Sequence, residues 1–222
     1  QTALMGMSKP MVFDGIDDRV NLGGSVPSPS DAITVSQWAC LRDIGGTVYN
    51  NLIRSSSYEM QERGDSKWRW YVNLSSDGFV AALDDVTFSA NRLYHVLGTY
   101  DKTTDDVKLY VNGVLKTTNN RSGNQTINAS STVSIGSESS SGRFARGFIN
   151  ETSIWNVALS LAEVQELFND GVALDATAHT KFGNLVGYWR NDGLSTWTDR
   201  STNSNNGTPA GSPDTILLPE GT

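Results

Sequence analysis

The chain predicts an all-β fold, a two-sheet antiparallel sandwich with one short helix near residues 160–170, and three observations carry that expectation. Residues 92–115 write two amphipathic strands and two turns. Short apolar runs are separated by stretches of Ser, Thr and Asn, with 21 Gly against 6 Pro and 18% charged residues, as many short strands joined by polar loops require. A single cysteine excludes an internal disulfide, so the core must hold the fold without such a staple, with a metal as the available supplement. At 222 residues the chain suits one β-sandwich domain over 1–222, with 184–222 as a strand-and-loop tail completing the sheet.

Taken in order, residues 13–20 form a turn crowded with Asp14, Asp17 and Asp18, and residues 33–41 read as a strand in which Cys40 is a small buried apolar residue. In residues 67–71, Trp68 and Trp70 share one face of a strand and Arg69 and Tyr71 the other, so at most one set is buried. Residues 94–100 are aromatic and β-branched enough for another strand, closed by the polar run 101–106. Next, Val107, Leu109 and Val111 alternate with Lys108, Tyr110 and Asn112. Asn112-Gly113 tolerates positive φ at both positions and predicts a type I′ hairpin, with Val114 and Leu115 starting the returning strand. Ser160 and Glu163 form a capping box, Leu161, Val164, Leu167 and Phe168 recur at helical spacing, and Asn169-Asp170-Gly171 ends the helix with Gly171 at its C-cap. That apolar stripe should dock on the sandwich.

Four segments in order carry a family resemblance: Phe13-Asp14-Gly15-Ile16-Asp17-Asp18, then Ile33-Thr34-Val35-Ser36-Gln37-Trp38, then the pair Tyr94-His95-Val96-Leu97-Gly98-Thr99-Tyr100-Asp101 and Leu109-Tyr110-Val111-Asn112-Gly113, then Gly147-Phe148-Ile149-Asn150-Glu151 through Trp155-Asn156. Over about residues 11–170 the chain resembles the laminin-G-like, concanavalin A-like jelly rolls. The resemblance implies a jelly-roll sandwich with the helix as a lid at a sheet edge. Residues 184–208 resemble the opening strand of the same domains but follow the helix here, so the tail either closes its own sheet beside residues 11–22 or adds to a neighbour's. This tail also resembles laminin-G-like structural proteins of tailed phages, marine ones in particular.

Composition and motifs exclude several functions. A net charge of −7 and a pI near 4.8 oppose nucleic acid as a partner, since phosphate binding needs clustered Lys and Arg. No apolar run approaches membrane-spanning length. Glycoside hydrolysis needs paired carboxylates, and no E-x-D-x-E alternation occurs; Glu59 and Glu62 stand beside a polar turn. His95 and His179 show no metal-protease spacing, His95 reading as a packed strand residue, and no nucleophile elbow or phosphate loop is present.

Two binding chemistries remain. Oxygen ligands gathered in the opening turn suit calcium. The resemblance implies that calcium sits where this turn meets the strand carrying G-x-I-D-E, here with Asn150 in place of Asp, which makes Asp14, Asp17 and Asn150 the candidate ligands of a structural calcium. The fold also invites sugars, which stack on aromatic faces, and Trp68, Trp70, Tyr71 and Trp197 are the candidate glycan contacts; Trp68 and Trp70 serve equally as core rings. The expected function is a non-enzymatic virion surface protein, a capsid decoration or fibre module. It would act through contacts with capsid or fibre proteins, self-association and weak glycan adhesion. The alternative is a carbohydrate-binding or adhesion domain of a larger secreted, extracellular protein.

Overall fold

Apolar runs and period-two alternation sort the chain into strands, some burying one face and the central ones both, and the computed structural model describes residues 10–22, 26, 29–47, 49–130, 132–137, 142–190 and 197–215. Two antiparallel sheets result. The first runs β10 (Val114–Asn120), β9 (Asp106–Val111), β8 (Tyr94–Asp101), β3 (Ala32–Leu41), β12 (Arg146–Trp155), β1 (Met11–Asp14), β15 (Asp214–Thr215), and β13 (Leu185–Trp189) also pairs with β12. The second runs β14 (Thr208–Ala210), β2 (Arg19–Asn21), β11 (Val133–Ile135), β4 (Asn50–Ser55), β5 (Tyr58–Glu62), β6 (Trp68–Leu74), β7 (Gly78–Leu83). Among the described residues these are sheets of eight and seven strands, a jelly-roll sandwich with one short α-helix, α1 (Leu161–Phe168).

The hairpin legible in the sequence forms as written. Asn112 and Gly113 take φ of 51° and 73°, as a type I′ turn demands, and Val114 pairs with Val111. The inner face of β6 supplies much of the core. Trp68 stacks on Phe88 at 3.9 Å between centroids, while Trp70 donates its indole N–H to the Thr99 carbonyl at 3.1 Å. A Cβ at position 98 would collide with the Trp70 ring, so Gly98 is what lets the second sheet close on the first.

The tail pairs within the chain. β12 is long enough to hold two partners on one edge, β1 along residues 146–149 and β13 along residues 152–155, so β13 takes up the edge where β1 stops. β14 adds beside β2, and Trp197, bridged to Gly207, meets Phe13 edge-on at 6.5 Å.

The helix begins as expected, with both halves of the Ser160–Glu163 capping box made, but two details differ. Asn169, not Gly171, is its left-handed C-cap, at φ 47°, since Asn tolerates that region and arrives first. Leu161 is exposed, leaving Val164 and Leu167 as the buried stripe. The helix lies on the outer face of the eight-stranded sheet, where Val164 and Leu167 join Leu97, Tyr110, Trp155 and Tyr188 in a second apolar cluster.

Candidate functional site

With α1 and the segment after it covering one outer face, the outer face of the seven-stranded sheet carries no helix among the described residues. Register fixes what stands on it. β6 alternates buried Trp68, Trp70, Val72 and Leu74 with half-buried Arg69, Tyr71 and Asn73, so the second set faces out. Opposite it on β5 stand Gln61, paired with Arg69, and Glu59, paired with Tyr71. On β4, Asn51 pairs with Gln61 and Arg54 with Glu59, across a bulge between Asn51 and Ile53. The face therefore carries two rows, Asn51–Gln61–Arg69 and Arg54–Glu59–Tyr71.

The second row is held together by an ion pair. Arg54 Nη1 sits 3.1 Å from Glu59 Oε2, a charge-assisted bond in a partly desolvated place. The first row is not. Asn51 is 0% exposed and Gln61 2%, yet both amide atoms of Asn51 and the Oε1 of Gln61 have no hydrogen-bond partner. A buried polar atom left unsatisfied costs ~1–3 kcal/mol, so three side by side are a large local debit for a structural surface.

A roof lies over this floor. Arg63 is one strand step beyond Gln61 on the same face, and its Nη1 donates to the Tyr71 hydroxyl at 3.4 Å, so its side chain spans the Gln61–Arg69 row. Its guanidinium also sits 5.7 Å from the Tyr49 ring, which Arg143 approaches at 5.4 Å. Arg69 is held by Asp65.

The candidates from the sequence are distributed differently from expectation. Tyr71 stands on this face. Trp68, Trp70 and Trp197 are each 0% exposed, so none offers a ring to a sugar; the first two lie on the inward set of β6, and Trp197 seals the tail against Phe13 and the chain at Gly207. Asp14 and Asp17 converge with Asp18, their ligand atoms within 4.8 Å of one another. Asn150 does not join them: it pairs with Trp38 of β3, four residues along β12 from Arg146, the partner of Asp14, or ~13 Å at the usual rise per strand residue. The fit to calcium is thus a cluster of three carboxylates in one turn. Its oxygens already accept backbone bonds, Asp14 from Ile16 at 2.7 Å and Asp18 from Asp14 at 2.9 Å and Ser212 at 2.8 Å. Burial and the two neighbouring carboxylates raise the Asp18 pKa, crowding that a cation would relieve.

Sequence reading missed Tyr49, Asn51, Gln61 and Arg63. The signal was there in residues 58–62, where Tyr58 and Met60 alternate with Glu59 and Gln61; these residues are β5 rather than the border of a polar turn. Glu62 points inward, 0% exposed, accepting from Asn50 at 3.0 Å and from the Ser66 amide at 2.9 Å.

A two-sheet antiparallel sandwich with a short helix on one outer face defines a jelly-roll class of β-proteins. The chain belongs to the concanavalin A-like lectin/glucanases superfamily, whose laminin G family model matches residues 14–165. Among solved structures it is similar to a proposed carbohydrate-binding protein from Bacteroides ovatus, with TM-score 0.70 and 16% identity over 96% of this chain and 61% of that one. It is similar also to a native heptameric SAP-like pentraxin from Limulus polyphemus, with TM-score 0.56 and 16% identity over 72% of this chain and 82% of that one. A third likeness is to the ligand binding domain of botulinum neurotoxin serotype D in complex with N-acetylneuraminic acid, with TM-score 0.54 and 16% identity over 69% of this chain and 42% of that one. At such identities the likeness is one of fold. The chain spans less than two thirds of the Bacteroides protein. No curated protein matches it in sequence.

Proposed function

We propose that this chain is a non-enzymatic carbohydrate-binding domain that takes its ligand on the outer face of the seven-stranded sheet. The observation that carries the reading is the orphaned atoms of Asn51 and Gln61, buried beneath side chains such as Arg63 on the face that carries no helix among the described residues. An amide offers two donors and an acceptor with two lone pairs, the complement of vicinal sugar hydroxyls, and Tyr71 and Tyr49 supply rings at its borders. Superfamily membership and the fold likeness to the Bacteroides protein support the same class.

The non-catalytic reading has its own support. Glycosidases work with two carboxylates roughly 5 to 9.5 Å apart. On this face Glu59 is tied to Arg54, the next outward position on its strand is the amide Gln61, and Glu62 faces the core. A structural calcium held by Asp14, Asp17 and Asp18 would brace the opening turn and takes no part in ligand contact. The virion reading rests on the resemblance of the tail alone. The tail here pairs with β12, β2 and β1 of its own chain, which removes the argument from strand exchange.

Affinity electrophoresis against a panel of soluble polysaccharides tests the proposal. The wild type should be retarded by at least one glycan, Asn51→Leu and Tyr71→Ala should run freely in it, and no new reducing ends should appear. Retardation left intact by both variants would move the site elsewhere.

A further inference from the structure

We propose that the glycan taken by this face is acidic, and that Arg63 receives its carboxylate or sulfate. The inference rests on the reading of the face as glycan-binding and names the class of ligand. Three arginines stand along the β4–β6 part of the face, and two are neutralised in place: Arg54 by Glu59 at 3.1 Å and Arg69 by Asp65. Arg63 differs. Among the described residues it forms no ion pair; its contacts are the Tyr71 hydroxyl and the Tyr49 ring, and the Glu59 carboxylate, tied to Arg54, acts on it only through space.

A guanidinium is a rigid fork of five donors shaped for a carboxylate or a sulfate, and a phenol oxygen satisfies one of the five. The Tyr71 bond, at 3.4 Å, lies at the long end of hydrogen-bonding range, so an incoming anion displaces a weak contact. In a chain of net charge −7, which repels polyanions in general, an arginine that feels Glu59 only at a distance, without an ion pair, and is laid over the orphaned atoms of Asn51 and Gln61 is a local exception. Floor and roof then divide one sugar residue between them: Asn51 and Gln61 take hydroxyls, Arg63 takes the ring's acidic substituent, and Tyr49 or Tyr71 takes an apolar ring face. A neutral hexose would leave Arg63 as it is. An acidic one gives it the partner its neighbours on the sheet already have.

The experiment uses the full chain and three soluble polymers in parallel: polygalacturonate for a carboxylate, a sulfated galactan for a sulfate, and a neutral galactan as control, each titrated by isothermal calorimetry at 0.15 M salt. The expected result is at least tenfold tighter binding to one acidic polymer than to the neutral one. Arg63→Gln should remove that preference and Arg63→Lys should restore it in part, because the charge returns without the fork. Which acidic polymer wins distinguishes carboxylate from sulfate. Arg63 is solvent-exposed, so both variants should melt with the wild type, and a melting curve for each confirms that loss of binding is not loss of fold. Equal binding to neutral and acidic polymers, or an acidic preference that survives Arg63→Gln, overturns this inference while the glycan-binding reading stands. Absence of binding to all three, with Asn51→Leu indistinguishable from wild type, overturns both.

Discussion

The two outer faces of the sandwich solve the same problem in opposite ways. On the eight-stranded sheet, α1 and the segment that follows cover Leu97, Tyr110, Trp155 and Tyr188, and several polar groups beneath have protein partners, although His95 Nδ1 has none. His95 Nε2 lies 2.7 Å from Ser36 Oγ, with Trp38 and Phe168 stacked about its ring. Glu151, in the bulge of β12 at φ 51°, accepts from Tyr188 and pairs with Arg190 at 3.2 Å. On the seven-stranded sheet no helix is laid down among the described residues, and Asn51 and Gln61 keep unpartnered amide atoms. Cover shuts out water, so a covered polar group must find a protein partner or be costly. Asn51 and Gln61 lack such partners with no helix above them, and the ligand-binding reading rests on that contrast.

The largest test of that division is Trp155→Ala. Trp155 is buried between β12 and the helix, and truncating a buried Trp costs ~3–5 kcal/mol, so the variant should lose that much in urea unfolding. A loss under ~1 kcal/mol would mean that the helix is not needed as a cover.

The covered face should also govern behaviour in acid. Burial holds His95 down to about 3, against 6.5 for the free side chain, so the unfolded chain takes up the proton first and stability is lost as pH falls through that window. Burial pushes Glu151 up to about 7 from 4.5, against the lowering effect of Tyr188 and Arg190. Its contribution has the opposite sign, being full below 4.5 and lost as pH rises through 7. The two oppose each other between 4.5 and 6.5, and below 4.5 His95 acts without that offset. Urea midpoints should fall from pH 4.5 toward pH 3 in the wild type and fall less in His95→Gln. Parallel slopes would remove His95 from the acid response.

The open face predicts a change of the other sign. Replacing Asn51 by Leu, close in volume and without an orphaned polar group, should raise stability by ~1–2 kcal/mol while abolishing glycan retention. A variant that is both less stable and still able to bind would show that the Asn51 amide has a structural role.

Much of the fold was legible because it is written locally. The type I′ turn at Asn112-Gly113, the capping box at Ser160 and the period-two alternation of β6 and β9 each need only a few neighbouring residues. The candidate site was legible only at Tyr71. Its floor joins Asn51 to Gln61, and that pairing depends on a register set across the β4 bulge, which no single segment encodes. The tryptophans misled for a related reason: alternation separates Trp68 and Trp70 from Tyr71 but does not say which side faces the other sheet. That is decided by Gly98, which opens room for Trp70 from a distant strand.

The smallest expected effect concerns the rim between the faces. Asp14, Asp17 and Asp18 gather in the turn between β1 and β2, where one strand belongs to each sheet, so a cation there would tie the sheets together at one corner. Weak extracellular-type sites bind with Kd of ~0.1–1 mM, and calcium at ten times Kd adds only ~1.4 kcal/mol. The thermal midpoint should therefore rise by a few degrees in 10 mM calcium and fall back with chelator. Asp17→Asn, which removes an exposed charge, should abolish most of that shift, while Asn150→Asp, distant along β12, should not enlarge it. A midpoint indifferent to calcium would leave the Asp18 carboxylate braced by the Asp14 and Ser212 amides alone, and the corner would then be a hydrogen-bonded turn, with both faces built wholly from the chain.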